Sequence, residues 1–218
     1  MARIVFDLDG TLIDSAPDIR VVANAVLAAE GAAPISLDET RAFVGNGSAV
    51  FVTRMSRARD LPEAVHARLL DAFLSRYDSA VDLTRPYPGV VAALEHLARR
   101  GHILGVCTNK PIAPCRAVLT HLGLDRFFAA VLGGDSLPVR KPDPTPLDAV
   151  FDALGTGPML YVGDSEVDAE TAVRADVPFL LFTEGYRKSP PDRIPHAAAF
   201  DRFDDLPALV ERQLIGQP

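Results

Sequence analysis

Asp7 and Asp9 stand two residues apart at the end of an apolar run, in the octet Asp7-Leu8-Asp9-Gly10-Thr11-Leu12-Ile13-Asp14. Side chains two apart on a strand share a face, so both carboxylates can converge on one point, while Gly10 lets the chain turn sharply away. Two such carboxylates repel unless a cation or a shared proton stands between them. A single Asp before a Gly is more often a turn cap, and it is the complete octet after an apolar run that favours chemistry. Lysine is scarce, with three against nineteen arginines, and Lys110 and Lys141 fall beside or inside two further short segments, Val106-Cys107-Thr108-Asn109 and Lys141-Pro142-Asp143-Pro144. A compact point charge suits close-range neutralisation of anions better than a planar fork. In Gly163-Asp164-Ser165-Glu166-Val167-Asp168 the first aspartate follows a strand-like run. Ser165 and Asp168 have the spacing of a helix-capping pair, and Asp14 or Ser15 could equally cap a helix before Pro17.

These residues need a frame to bring them together. Five short apolar runs, 3–8, 103–108, 129–132, 159–163 and 179–182, read as strands. Segments 90–100, 111–122, 146–154 and 166–175 carry apolar side chains at helical spacing, and the alternation implies a doubly wound, parallel α/β sheet. About ninety residues separate the first two strands, far more than a crossover needs. The spacing there predicts helices over 16–30, 37–44, 48–59 and 62–79, with Ser36 and Glu39 as a capping box, and the chain returns through Pro86-Tyr87-Pro88-Gly89. An inserted helical unit on two strands of chain would move as a hinged lid.

At 218 residues with a formal charge of -7, the chain has room for one domain and an insertion, and lacks the basic surplus that nucleic acids or anionic membranes require. A small-molecule partner is expected. The apolar start is too short for a signal peptide and no run reaches a membrane span, so a cytoplasmic location is expected. Cys107 and Cys115 lack metal or redox spacing and are expected to be buried free thiols.

The octet resembles the first motif of the haloacid dehalogenase-like (HAD) hydrolases, and the other three segments resemble that family's remaining motifs in order, over essentially the whole chain. The resemblance implies a Rossmann-like core of sheet order 3-2-1-4-5, spanning 1–14 and 86–218, with residues 15–85 as a small helical cap of the family's first type. It implies Asp7 as nucleophile and Asp9 as general acid and base, with its backbone carbonyl on a metal. Thr108, Asn109 and Lys141 would bind the phosphoryl group, Lys141 also neutralising Asp7. Asp7, Asp9 and Asp164 would hold Mg²⁺, with Asp168 either joining them or only capping its helix.

Within that family the second aspartate counts against dehalogenases, and the absence of lysine from 15–85 counts against phosphonatases that use a lid Schiff base. A phosphomutase shares every core motif, while a catalytically inactive binding protein would be expected to have lost a core carboxylate or the lysine. Phe43-Val44-Gly45-Asn46-Gly47 resembles the lid of phosphoglycolate phosphatases, as does Tyr87-Pro88-Gly89-Val90, so Gly45, Asn46 and Gly47 are expected at the substrate. The expectation is a Mg²⁺-dependent phosphatase of a small phosphorylated metabolite, with 2-phosphoglycolate ahead of sugar phosphates. Backbone amides opening the helix at Ser48 would suit a carboxylate. Arg54 and Arg57 lie farther along that helix.

Overall fold

The computed structural model describes residues 1–215. Along the chain the strands are β1 (Arg3–Phe6), β2 (Ile13–Asp14), β3 (Arg85–Pro86), β4 (Ile103–Cys107), β5 (Phe128–Leu132), β6 (Met159–Gly163), β7 (Phe179–Phe182) and β8 (Ala198–Phe200). The helices are α1 (Ala16–Ala29), α2 (Leu37–Phe43), α3 (Ser48–Arg57), α4 (His66–Tyr77), α5 (Val90–Arg99), α6 (Ile112–His121), α7 (Thr145–Ala153), α8 (Glu166–Ala175) and α9 (Leu206–Ile215).

One sheet runs in the order β5-β4-β1-β6-β7-β8, with every neighbour parallel. This is the expected 3-2-1-4-5 order with an edge strand, β8, added beyond it. Helices cover both faces, which is why the strands read as unbroken apolar runs. Along β1, Ile4 and Phe6 face a cluster with Leu94 and Leu97 of α5, Leu119 of α6 and Val210 of α9. Val5 points the other way, to Leu147 and Phe151 of α7 and Ala169 and Ala172 of α8. The chain winds from β1 outward through β4 to β5, then restarts at β6 on the other side of β1. The crevice where that winding reverses lies at the C-terminal ends of β1 and β6.

Helices α1 to α4 bury a cluster of their own, including Val22, Val26, Phe51, Met55, Leu69, Phe73 and Tyr77. The Ser36–Glu39 capping box forms at the start of α2 as its spacing predicts. Two strands of chain join this unit to the sheet, and they pair as a short antiparallel ribbon, Ile13 with Pro86 and Asp14 with Arg85. Asp18, buried in the first turn of α1, ties them further: its carboxylate accepts from the Thr84 amide (2.7 Å) and hydroxyl (2.6 Å) and from the Leu83 amide (3.0 Å). Both cysteines are buried free thiols, and burial pushes each up to about 12, which leaves them unreactive at neutral pH. Among the described residues no helix is long and apolar enough to cross a membrane.

Candidate active site

Pairing continues one residue past β1, where the Asp7 amide donates to the Val162 carbonyl at 2.9 Å and sets the carboxylate at the sheet's C-terminal edge. The chain then folds back, the Leu12 amide donating to Leu8 O (2.9 Å) and the Gly10 amide to Ile13 O (2.8 Å). Gly10 takes φ +87°, and a Cβ there would stand 2.6 Å from Asp164 Oδ2, so the turn requires glycine for both conformation and room. Asp9 is held over the crevice by two donors to its Oδ1, Ser15 Oγ at 2.6 Å and Lys110 Nζ at 3.2 Å.

Lys141 reaches the same edge from the loop before α7. Its ammonium lies 2.9 Å from Asp7 Oδ1 and donates to Asp168 Oδ1 (2.7 Å) and the Tyr161 hydroxyl (2.8 Å). The Asp7 contact has the distance of an ion pair without the alignment of a hydrogen bond. Burial alone would weaken the ammonium, but Asp168 and Asp7 outweigh it and hold the lysine well above its ordinary value. Asp168 accepts also from Tyr161 Oη (2.7 Å) on Oδ1, and from Ser165 Oγ (2.6 Å), Ser165 N (3.1 Å) and Asp164 N (3.3 Å) on Oδ2. Each of its oxygens carries at least two donors, which leaves little room for a cation. Of the two places expected for Asp168, the capping of α8 is formed, and the side chain also fixes Lys141, which, despite the cost of burial, keeps it below the usual carboxylate range.

Asp164 is positioned by Thr11 Oγ1 on Oδ1 (2.7 Å) and by the Tyr186 amide on Oδ2 (2.6 Å). A Cβ at Gly185 would collide with Gly10 O and the Asp164 side chain, so the loop after β7 can approach only as glycine. Burial, then the charges of Asp168 and Asp7, push Asp164 well above the usual carboxylate range. Asp7 is pushed up to about 7, by burial first and Asp168 second, with Lys141 offsetting only part. Asp7, Asp164 and Asp168 each offer an oxygen within 4.8 Å of the others. With Asp9 they carry four negative charges when ionised, against two on Lys110 and Lys141. A divalent cation balances that deficit, and an all-oxygen set with few carboxylates suits Mg²⁺. Asp7 and Asp164, whose oxygens keep open lone pairs, are the residues that fit it.

Two recesses meet at Asp7 and Asp9. One lies toward Asp164, Ser165 and Lys188; the other lies under the inserted helices, between Thr108, Asn109 and Lys110 and the apolar Ile19, Val44, Phe51 and Phe73. Thr108 Oγ1 is buried and accepts from the Lys110 amide (3.2 Å), and its proton goes to no partner among the described residues. Asn109 lines the recess as expected of a residue at the ligand, and both its amide hydrogens go to backbone carbonyls, Gly45 O and Lys141 O, each at 3.0 Å, so the side chain staples the Gly45 loop to the Lys141 loop. Gly45 and Gly47 line the recess, while the Asn46 side chain turns to Arg54, whose Nη2 donates to Asn46 Oδ1 at 2.8 Å. Arg54 is committed to that loop through Phe43 O as well. Asp14 joins the two units, accepting from Tyr186 Oη (2.6 Å) and Arg41 Nη2 (2.9 Å).

Tyr161, Tyr186 and Tyr77 do site work that the motifs did not signal. A tyrosine in the middle of an otherwise apolar strand, as Tyr161 is in β6, must find a partner for its hydroxyl, and that was the available clue.

The haloacid dehalogenase-like hydrolase family matches residues 4–182. A phosphoglycolate phosphatase of Cereibacter sphaeroides is 49% identical over 217 residues, covering 98% of this chain and all of that one, and one from Rhodobacter capsulatus is 47% identical over 214 residues, covering 95% and 96%. A crystal structure described as a predicted phosphoglycolate phosphatase from Haemophilus somnus superposes with a TM-score of 0.89 at 33% identity, over 95% of this chain and 96% of that one. Four ordered motifs, a sheet that gathers them at one edge and relatives alike over nearly their whole length agree that this chain belongs to the haloacid dehalogenase-like hydrolases.

Proposed function

We propose that the protein is a Mg²⁺-dependent phosphatase that hydrolyses a small phosphorylated metabolite, 2-phosphoglycolate, by way of a phosphoryl group carried on Asp7. The observation that carries this reading is the setting of Asp7, with the Lys141 ammonium 2.9 Å from one oxygen, Asp164 close by and Asp9 held over the same crevice. The names of the similar proteins supply the substrate.

In the first half-reaction an Asp7 oxygen attacks phosphorus, the ester P–O bond breaks, and Asp9 gives its proton to the leaving oxygen. In the second, water attacks phosphorus and gives its proton to Asp9 while the bond to Asp7 breaks, releasing inorganic phosphate. Lys141 and the Thr108 hydroxyl face the phosphoryl oxygens and hold their charge through both displacements. Asp7 and Asp164, with the Asp9 carbonyl, are the residues that would hold Mg²⁺, which supplies neutralisation of the phosphoryl oxygens against the buried carboxylates. Asp168 acts through Lys141. Residues 15–85 move as a lid, since the recess beneath them must open for substrate and close to exclude water.

Release of inorganic phosphate from a panel of small phosphate esters, with Mg²⁺ and with excess chelator, tests the reading. The expected result is metal-dependent turnover with the highest kcat/KM on 2-phosphoglycolate. Unchanged rates in chelator would remove the metal, much faster turnover of a sugar phosphate would remove the substrate, and an isomerised phosphate as product would remove the hydrolysis.

A further inference from the structure

Lys110 takes no part in the chemistry set out above, yet it is one of the most enclosed cations in the protein. Its side chain is 3% exposed, and its ammonium meets Asp9 Oδ1 at 3.2 Å and the Tyr77 hydroxyl, lying over the Tyr77 ring 4.1 Å from the centroid. A buried ammonium is costly unless paired, and Asp9 is the only carboxylate within ion-pair distance of it among the described residues. Asp9, however, must present its carboxyl to the leaving oxygen, and Lys110 engages that carboxyl from the leaving-group side.

We infer that Lys110 reads the charge of the leaving group: on binding, its ammonium shifts from Asp9 Oδ1 to the carboxylate of the substrate. This rests on the phosphatase reading and assigns one residue to its substrate preference. Placement is the first support. The ester oxygen must lie within hydrogen-bond reach of Asp9, and in 2-phosphoglycolate one methylene separates that oxygen from the carboxylate. The carboxylate therefore falls in the shell beside Asp9, where Lys110 stands.

The walls are the second support. Among the described residues Lys110 is the one lysine or arginine lining the recess under the inserted helices, whose other walls include Ile19, Val44, Phe51 and Phe73. Apolar walls strengthen a charge pair and leave the hydroxyls of a sugar without partners. Tyr77 is the third. It closes the last turn of α4, and its hydroxyl and ring keep the ammonium in place while the anionic partner changes. Lys188 lines the other recess, beside Asp164 and Glu166.

The test compares 2-phosphoglycolate with ethyl phosphate, which has a similar alkoxide leaving group and no carboxylate, in wild type, Lys110→Met, Tyr77→Phe and Lys188→Met. Lys110→Met is expected to lower kcat/KM on 2-phosphoglycolate by about a hundredfold, at least about twentyfold more than on ethyl phosphate, whose own loss reads the support Lys110 gives Asp9. Tyr77→Phe, which keeps the ring and serves if Lys110→Met does not fold, should raise KM for 2-phosphoglycolate severalfold more than KM for ethyl phosphate. Equal losses on both substrates in these variants would overturn the assignment, reducing Lys110 to a support for Asp9. So would a preference lost in Lys188→Met and kept in Lys110→Met. Failure of the proposed function looks different: wild type itself would release no phosphate from either ester, or would show no preference for 2-phosphoglycolate.

Discussion

Asp164 and Asp168 lie four residues apart and differ in what their oxygens still have to offer. Asp164 accepts one hydrogen bond on each oxygen, whereas Asp168 is filled by Lys141, Tyr161, Ser165 and the Asp164 amide. Asp164→Ala is expected to raise the Mg²⁺ concentration for half-maximal rate by about ten- to a hundredfold. Asp168→Asn should lower kcat by at least about tenfold with little change in that concentration, because it loosens Lys141 and not the cation; metal titrations of initial rate check both. The crowded carboxylates also give a stability prediction. Asp7, pushed up to about 7, and Asp164, also raised, bind protons in the folded chain at pH values where the unfolded chain has released them. The contribution of Asp7 to stability is full below the ordinary carboxylate range and is lost as pH rises through about 7, and that of Asp164 falls in the same direction. Thermal denaturation without metal should therefore show Tm falling from about pH 6 to about pH 8, and added Mg²⁺ should raise Tm more at the higher pH, where the ligands are already deprotonated. A Mg²⁺ shift as large at the lower pH would contradict this. Asp7, Asp9 and Asp164 were singled out in the sequence by spacing and strand ends and Lys141 by the scarcity of lysine and the resemblance of its segment, and the structure brings them to one crevice. Lys110 with Tyr77, and Lys141 with Tyr161, are contacts between distant segments, and no local pattern carries them.

At the scale of elements, the apolar runs and helical periodicities mark β1, β4 to β7 and α1 to α8, most of which bury an apolar face; α2 buries only Thr40 and was marked by its capping box. β8 was not legible: Ala198-Ala199-Phe200 is three residues long and acquires its pairing only from β7. The β2–β3 ribbon was hidden by Pro86, a residue that argues against a central strand and is tolerated here in a two-stranded edge. That ribbon and Asp18 fix where the inserted helices leave the sheet. Asp18→Ala would strand the two buried donors of Thr84 and the partly buried Leu83 amide. The expected cost is about 2–4 kcal/mol, read by urea denaturation, with KM raised as the lid loses its register. A stability within about 0.5 kcal/mol of wild type would show that water replaces the carboxylate and that the ribbon alone holds the hinge.

Across the whole molecule, a parallel sheet presents acids at one edge, and the inserted helices roof them with an apolar recess that holds one cation, Lys110. On the proposals above, the phosphoryl group is met at the sheet edge and the leaving group where the loop after β4 faces the inserted helices, a contact between distant segments that no single motif carries. The central claim is that Asp7 carries the phosphoryl group. Asp9→Asn separates the half-reactions when the donor is acetyl phosphate, whose leaving group needs no proton, because attack by Asp7 can proceed while attack by water lacks its base. Mass spectrometry of acid-quenched Asp9→Asn protein, mixed with acetyl phosphate and Mg²⁺, should find one phosphoryl group on the peptide bearing Asp7, and none when Asp7→Asn is added to the same chain. Phosphate released with Asp7 unmodified throughout, or a phosphoryl group on any other residue, would contradict the account.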